Sequence, residues 1–132
     1  MKKKIVLVLS LLSLIWTLFL TASVAFNSLS VAPRVAGGGL HSFSAALRFT
    51  YGVQALVVLF QLFFVVQLFK RSGVWSNTSY LLARIFLILF GLSAVVNLMS
   101  RNPLERWNAI PAFVIAYAYI VVGSLNFRPK NK

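Results

Sequence analysis

The chain has no cysteine, one acidic residue (Glu105) and one histidine (His41) among its 132 residues. Without cysteine there is no disulfide, no thiolate metal site and no thiol nucleophile. A single carboxylate cannot supply an acid and base pair, and with one histidine it falls short of a metal-ligand set. Glu105 also lies outside the apolar runs, so the intramembrane carboxylate that proton- and cation-coupled carriers tend to keep is missing. His41 follows a glycine run, where a lone histidine is ordinarily just solvated. These shortages predict a protein that is not an enzyme and that holds no metal and no cofactor.

What is abundant is apolar. Hydrophobic residues make up 60% of the chain, against about 45–50% in soluble domains, and the mean hydropathy is +0.88. The excess gathers into four runs, each close to the ~20 residues that cross a hydrocarbon core as a helix. The predicted fold is all-α: one integral membrane bundle of four transmembrane helices over 1–132. The helices are expected at about 5–26, 43–69, 80–99 and 103–127, with an outside loop at 27–42. Short connections favour antiparallel neighbours, which sets span two beside span three and span three beside span four. Pro33 and the Gly37–Gly39 run argue against regular helix in the long loop. Ser42 is placed to cap the second helix, which is long enough to tilt or project from the bilayer.

The net charge is +12. In a soluble protein that balance would suggest nucleic acid, but here the cations fall in small groups at span ends and form no continuous basic face, so no nucleic-acid partner is expected. Lys2, Lys3, Lys4, Lys70, Arg71, Arg84, Arg128, Lys130 and Lys132 share one side of a four-span arrangement; Arg34, Arg48, Arg101 and Arg106 share the other. The positive-inside rule then sets both termini in the cytoplasm of a multi-pass cell-membrane protein. The cytoplasmic cations would attract anionic headgroups, at about 1 kcal/mol each near a charged surface. One competing reading is a secretory signal: Lys2–Lys4, an apolar run, then Ser23-Val24-Ala25, cleaved to leave three spans. The apolar run exceeds the ~7–15 residues usual for a signal core, so retention is expected.

Polar residues inside the spans are the candidate site. Gln54 and Gln61 are seven apart and share a helix face, which should turn into the bundle because an amide in lipid needs partners. Arg84 lies one turn inside its span, where a long side chain can snorkel to the headgroups. Asn97 lies near the outer end of the same span. Ser10, Ser13, Thr17 and Thr21 form a stripe on span one. Such a stripe lets helices approach, but the same hydroxyls can simply bond their own backbone. Arg84, Gly91 and Ala94, and Ala112, Ala116 and Gly123, are expected small-residue packing seams. Trp75 and Trp107 suit the headgroup level.

The linker between spans three and four has the most explicit local grammar. Asn102 fits the helix N-cap, Pro103 the first helical position and Glu105 the third, which is a capping-box pattern. Glu105 can also pair with Arg101, Arg106, Arg48 or Arg34. From Trp107 to Pro111 the chain either lies along the surface or continues as one helix with a proline kink. The span ending in Asn97, the run Ser100-Arg101-Asn102-Pro103-Leu104-Glu105-Arg106-Trp107, and Pro111 soon inside the next span resemble small four-span bacterial membrane proteins of unknown function. The likeness covers about 84–123 and implies the four-span count, with no transferable chemistry.

The functional expectation is a non-catalytic accessory or regulatory subunit, or a lipid-interacting protein, whose partners are the bilayer and either another membrane protein or a second copy. The alternative is an oligomeric channel or transporter for an anion or neutral solute, with Gln54, Gln61, Arg84 and Asn97 lining its path.

Overall fold

A computed structural model describes residues 2–35, 41–70 and 77–126, without the side chains of 77 and 123–126. Helix α1 runs Lys2–Ala25, a 3₁₀ turn Leu29–Arg34, α2 Ala45–Lys70, α3 Asn77–Met99, the short α4 Pro103–Arg106, and α5 Ala109–Asn126. Among the described residues there is no strand. The segments Lys2–Ala25, Ala45–Lys70 and Thr78–Met99 are long and apolar enough to cross a membrane. Their outward faces carry residues such as Leu56, Val96 and Phe63, each about two-thirds exposed. A water-facing shell would not tolerate so continuous an apolar belt; the fold is that of a helical membrane protein.

The helix ends have local causes. Asn27 takes the left-handed conformation at φ 60°. Ser28 N–H donates to Ser23 O at 2.7 Å and Asn27 N–H to Val24 O at 3.0 Å, the paired bonds of a Schellman stop. Helix α2 is capped by Ser44, whose Oγ accepts from Leu47 N–H at 3.2 Å. That corrects the expected cap at Ser42 and the expected start at 43.

The segment 27–42 is not a plain loop. Its 3₁₀ turn contains Pro33, because so short a helix can spare one donor. Val31, Ala32 and Val35 are buried with Leu20, Val24 and Phe43 in an outer apolar cluster against which Leu47 and Tyr51 pack, so residues 31–35 fold back onto α1 and α2. Gly37–Gly39 lie outside the described residues, as do Trp75 and the basic residues Arg71, Arg128, Lys130 and Lys132.

The expected helix at 103–127 is two helices. Pro111 has no N–H for the Trp107 carbonyl four residues back, and its ring crowds that carbonyl. Trp107 O instead accepts from Ile110 N–H at 3.2 Å, and Asn108 N–H donates to Glu105 O at 2.9 Å. The chain therefore breaks at Trp107–Asn108, and Pro111 falls in the first turn of α5.

Of the two expected neighbour pairs, α3 packs closely against α5, while α2 and α3 do not bring their backbones together. Backbones pack closely for α1 with α2, α3 with α5, and α1 with α5. Helices α2 and α3, despite their short connection, meet instead through the rings of Phe60, Phe64 and Phe86, with centroids 5.9–6.2 Å apart. Bulky rings hold two backbones apart where small residues would let them close. On α5, Ala112 and Ala116 are buried, as the small-residue seam predicts, and Ala109 is buried with them; Gly123 has no described side-chain environment. Gly91 is different. A Cβ there would meet nothing within 4 Å, so Gly91 makes no close helix contact among the described residues, although Ala94 is buried.

Candidate functional site: a polar cleft beside α2 and α3

Because α2 and α3 are held apart, space remains between them on the outer side of the phenylalanines. Two adjoining cavities share Thr17 and Thr21 of α1, Gln54 of α2, and Phe90 and Ser93 of α3. The outer one, about 130 Å³, is bordered by Arg34, Asn97, Glu105 and Asn108. The inner one, about 340 Å³, reaches Gln61 and is flanked by Val53, Val57 and Leu89. Those three aliphatic residues are themselves 39–51% exposed, so the inner cavity opens sideways, toward the surroundings of the bundle.

Gln61 closes the deep end. It is only 1% exposed, and its Oε1 accepts a hydrogen bond from the Tyr119 hydroxyl at 2.9 Å. Tyr119 is buried as well. Beyond this pair the centre fills with Phe64, Phe86, Leu14 and Ile115. The polar lining therefore ends blind.

The span-one hydroxyls bond their own helix. Ser10 donates to Leu7 O at 2.8 Å, Thr17 to Ser13 O at 2.9 Å, and Thr21 to Thr17 O at 2.9 Å. Thr17 and Thr21 nevertheless face the cavities. On α3, Asn97 Nδ2 donates to Ser93 Oγ at 3.4 Å.

At the outer end one asparagine ties three segments. Asn108 Oδ1 accepts from Trp16 Nε1 at 3.5 Å, and its Nδ2 donates to Arg34 O at 2.8 Å. The Arg34 guanidinium lies over the Trp16 ring, 5.7 Å from its centroid, so Trp16 is occupied by packing in mid-helix. Asn102 caps α4 as expected: its Oδ1 accepts from Leu104 N–H at 3.1 Å, and its Nδ2 reaches Pro33 O. The capping box is relayed, however. Ser100 Oγ accepts from Asn102 N–H at 3.1 Å and donates to Glu105 Oε2 at 2.6 Å. Ser100 thus stands between the Glu105 carboxylate and the Asn102 N–H. Arg106 Nε donates to Ser100 O at 2.6 Å and Arg48 Nε to Ala25 O at 3.1 Å; Arg101 is exposed.

Of the four intramembrane polar candidates, the structure joins three. Gln54, Gln61 and Asn97 border the connected cavities. Arg84 does not. It lies about 20 Å of helix rise from Asn97, exposed, with its guanidinium over the Tyr80 ring at 4.9 Å from the centroid. Thr17, Ser93 and Tyr119 were not singled out as site residues from the sequence. Ser and Thr on an apolar helix carry no signal of their own, and Tyr119 becomes notable only once Gln61 is found opposite it. Comparison with family models, curated protein sequences and solved structures gave no match, so the chemistry of this cleft is the available guide to what the chain does.

Proposed function

We propose that the chain is a non-catalytic, four-span membrane protein, with both termini cytoplasmic, that holds a lipid-like molecule in the cleft between α2 and α3. Helix α5 is the fourth span: its 18 residues rise about 27 Å, close to a hydrocarbon core of about 30 Å. The observation that carries the reading is the sideways opening of the inner cavity between Val53, Val57 and Leu89. In a bilayer that opening faces acyl chains, so an apolar ligand has access without crossing water. A protein of this kind suits an accessory or regulatory role in a larger assembly. The blind end at Gln61 and Tyr119, backed by aromatic packing, counts against a solute path through a single copy.

Two experiments test this reading. The chain has no native cysteine, so single cysteines report topology without background. Ser30→Cys should react with a membrane-impermeant thiol reagent on intact cells, and Lys132→Cys only after permeabilisation; the reverse pattern overturns the orientation. For binding, native mass spectrometry after gentle detergent extraction should show a lipid-sized mass retained by the chain. Val57→Trp, which fills the mouth of the cleft from a half-exposed position, should remove it. An adduct unchanged by Val57→Trp overturns the cleft as its site.

A further inference from the structure

We infer that the ligand of the cleft is a neutral amphiphile whose head presents a carbonyl oxygen to the Gln61 amide, the chemistry of a membrane quinone. The inference rests on the lipid-binding reading above and adds which head the cleft accepts.

Hydrogen-bond supply sets the first condition. Gln61 is buried, and its Oε1 is occupied by Tyr119. Its Nε2 carries two further donors, and among the described residues no hydrogen bond involves them, although the side chain borders the cavity. Amide donors shut away from water require an acceptor. Ser93 Oγ already accepts from Asn97, which leaves its proton for a ligand oxygen. The Thr17 and Thr21 protons are used on backbone carbonyls. At its deep end, beside Gln61, the cleft thus offers donors, and a head seated there must bring acceptors.

Charge sets the second. Among the described residues, no Lys, Arg, His, Asp or Glu borders the inner cavity. A charged head there would be stranded without a counter-charge. Depth sets the third. Gln61 lies about 13 Å of helix rise from Lys70 and about 20 Å from Arg48. A glycerophospholipid keeps its phosphate and ester groups at the headgroup level, so its carbonyls do not come to Gln61. A quinone has no such anchor. Its head is flat, neutral and edged with carbonyl oxygens, and its tail is apolar. The volume of about 340 Å³ lies within the range of small-molecule sites, about 300–1,000 Å³. The ring would lie near Phe90, and the tail would leave past Val57 and Leu89 into the bilayer.

The test uses the full chain in phosphatidylcholine nanodiscs titrated with decylubiquinone. Trp75→Phe and Trp107→Phe leave Trp16, which borders the outer cavity, as the fluorescent reporter. Saturable quenching is expected. The double variant Gln61→Leu with Tyr119→Phe, which removes both ends of the buried hydrogen bond together, should raise the half-saturation concentration about five- to tenfold, the scale of one lost hydrogen bond. Ser93→Ala, a milder change at a half-buried position, should raise it about twofold. Val57→Phe, which fills the same mouth without adding a second tryptophan, should abolish saturation. Linear quenching of the same slope in all variants means simple partitioning into the bilayer and overturns the quinone assignment. If a phospholipid mass that Val57→Trp displaces is nevertheless retained, the lipid-binding reading stands and only the head chemistry falls. If filling the mouth at Val57 alters neither measurement, both fall.

Discussion

Phe64→Ala is expected to destabilise the bundle by about 2–3 kcal/mol and to let α2 part from α3. Phe64 is 8% exposed, and its ring lies 5.7 Å from Phe60, 5.9 Å from Phe86 and 6.5 Å from Tyr119. In soluble cores a buried Phe→Ala costs about 3–5 kcal/mol. Part of that is return of apolar surface to water. Lipid removes this part, since acyl chains are as apolar as the side chain they replace. What remains is lost dispersion and about 0.5–1.5 kcal/mol for each favourable ring pair. Because α2 and α3 meet through these rings, the loss falls on the contact that shapes the cleft. Its neighbour Phe63 is 65% exposed, and Phe63→Ala should change stability by less than about 0.5 kcal/mol. Unfolding by SDS titration in mixed micelles measures both. Equal losses at the two positions would mean that Phe63 is buried against something, or that Phe64 is not in the core.

The second large effect is a failure of additivity at Gln61 and Tyr119. Tyr119→Phe leaves the Gln61 carbonyl oxygen without its 2.9 Å donor, and Gln61→Leu leaves a buried hydroxyl without its acceptor. Each single change should cost about 1–2 kcal/mol, because an orphaned polar group in the interior keeps its desolvation penalty. Removing both partners leaves no orphan, so the double variant should fall within about 0.5 kcal/mol of the unaltered chain. The coupling these costs imply is at least about 1.5 kcal/mol, at the upper end of the ~0.6–1.7 kcal/mol found for hydrogen bonds between membrane helices. The same unfolding titration on all four proteins measures it. Strictly additive costs would show that the two groups do not depend on each other.

Much of the local structure was legible beforehand. Asn102, Pro103 and Glu105 marked the start of α4 because a helix N-terminus has a definite demand for acceptors and can spare a donor at its first position. The relay through Ser100 was not legible, since it depends on how the preceding backbone folds back. Ser42 read as the cap of α2, and only the observed bond from Leu47 N–H shows that Ser44 takes that place. Pro111 announced a disturbance; that the break comes upstream at Trp107–Asn108 follows from the carbonyl its ring obstructs. Gln61 read as inward-facing from the cost of an unpaired amide in lipid. The seven-residue spacing already joined Gln54 to it; Asn97 could be joined, and Arg84 separated, only in three dimensions.

By itself, the order of residues determined the medium around the chain, the positions of its long apolar helices and the chemistry at their ends. Each of these depends on short stretches: enough apolar residues to reach across oil, or one side chain meeting a backbone group a few positions away. Which helices touch was decided only in the tertiary structure. Surrounded by lipid, an apolar face gains little by choosing a neighbouring helix over an acyl chain, so hydropathy carries no instruction about partners. Ring bulk at Phe60, Phe64 and Phe86, small residues along α5, and the buried bond between Gln61 and Tyr119 made that choice, and with it left open the cleft between α2 and α3.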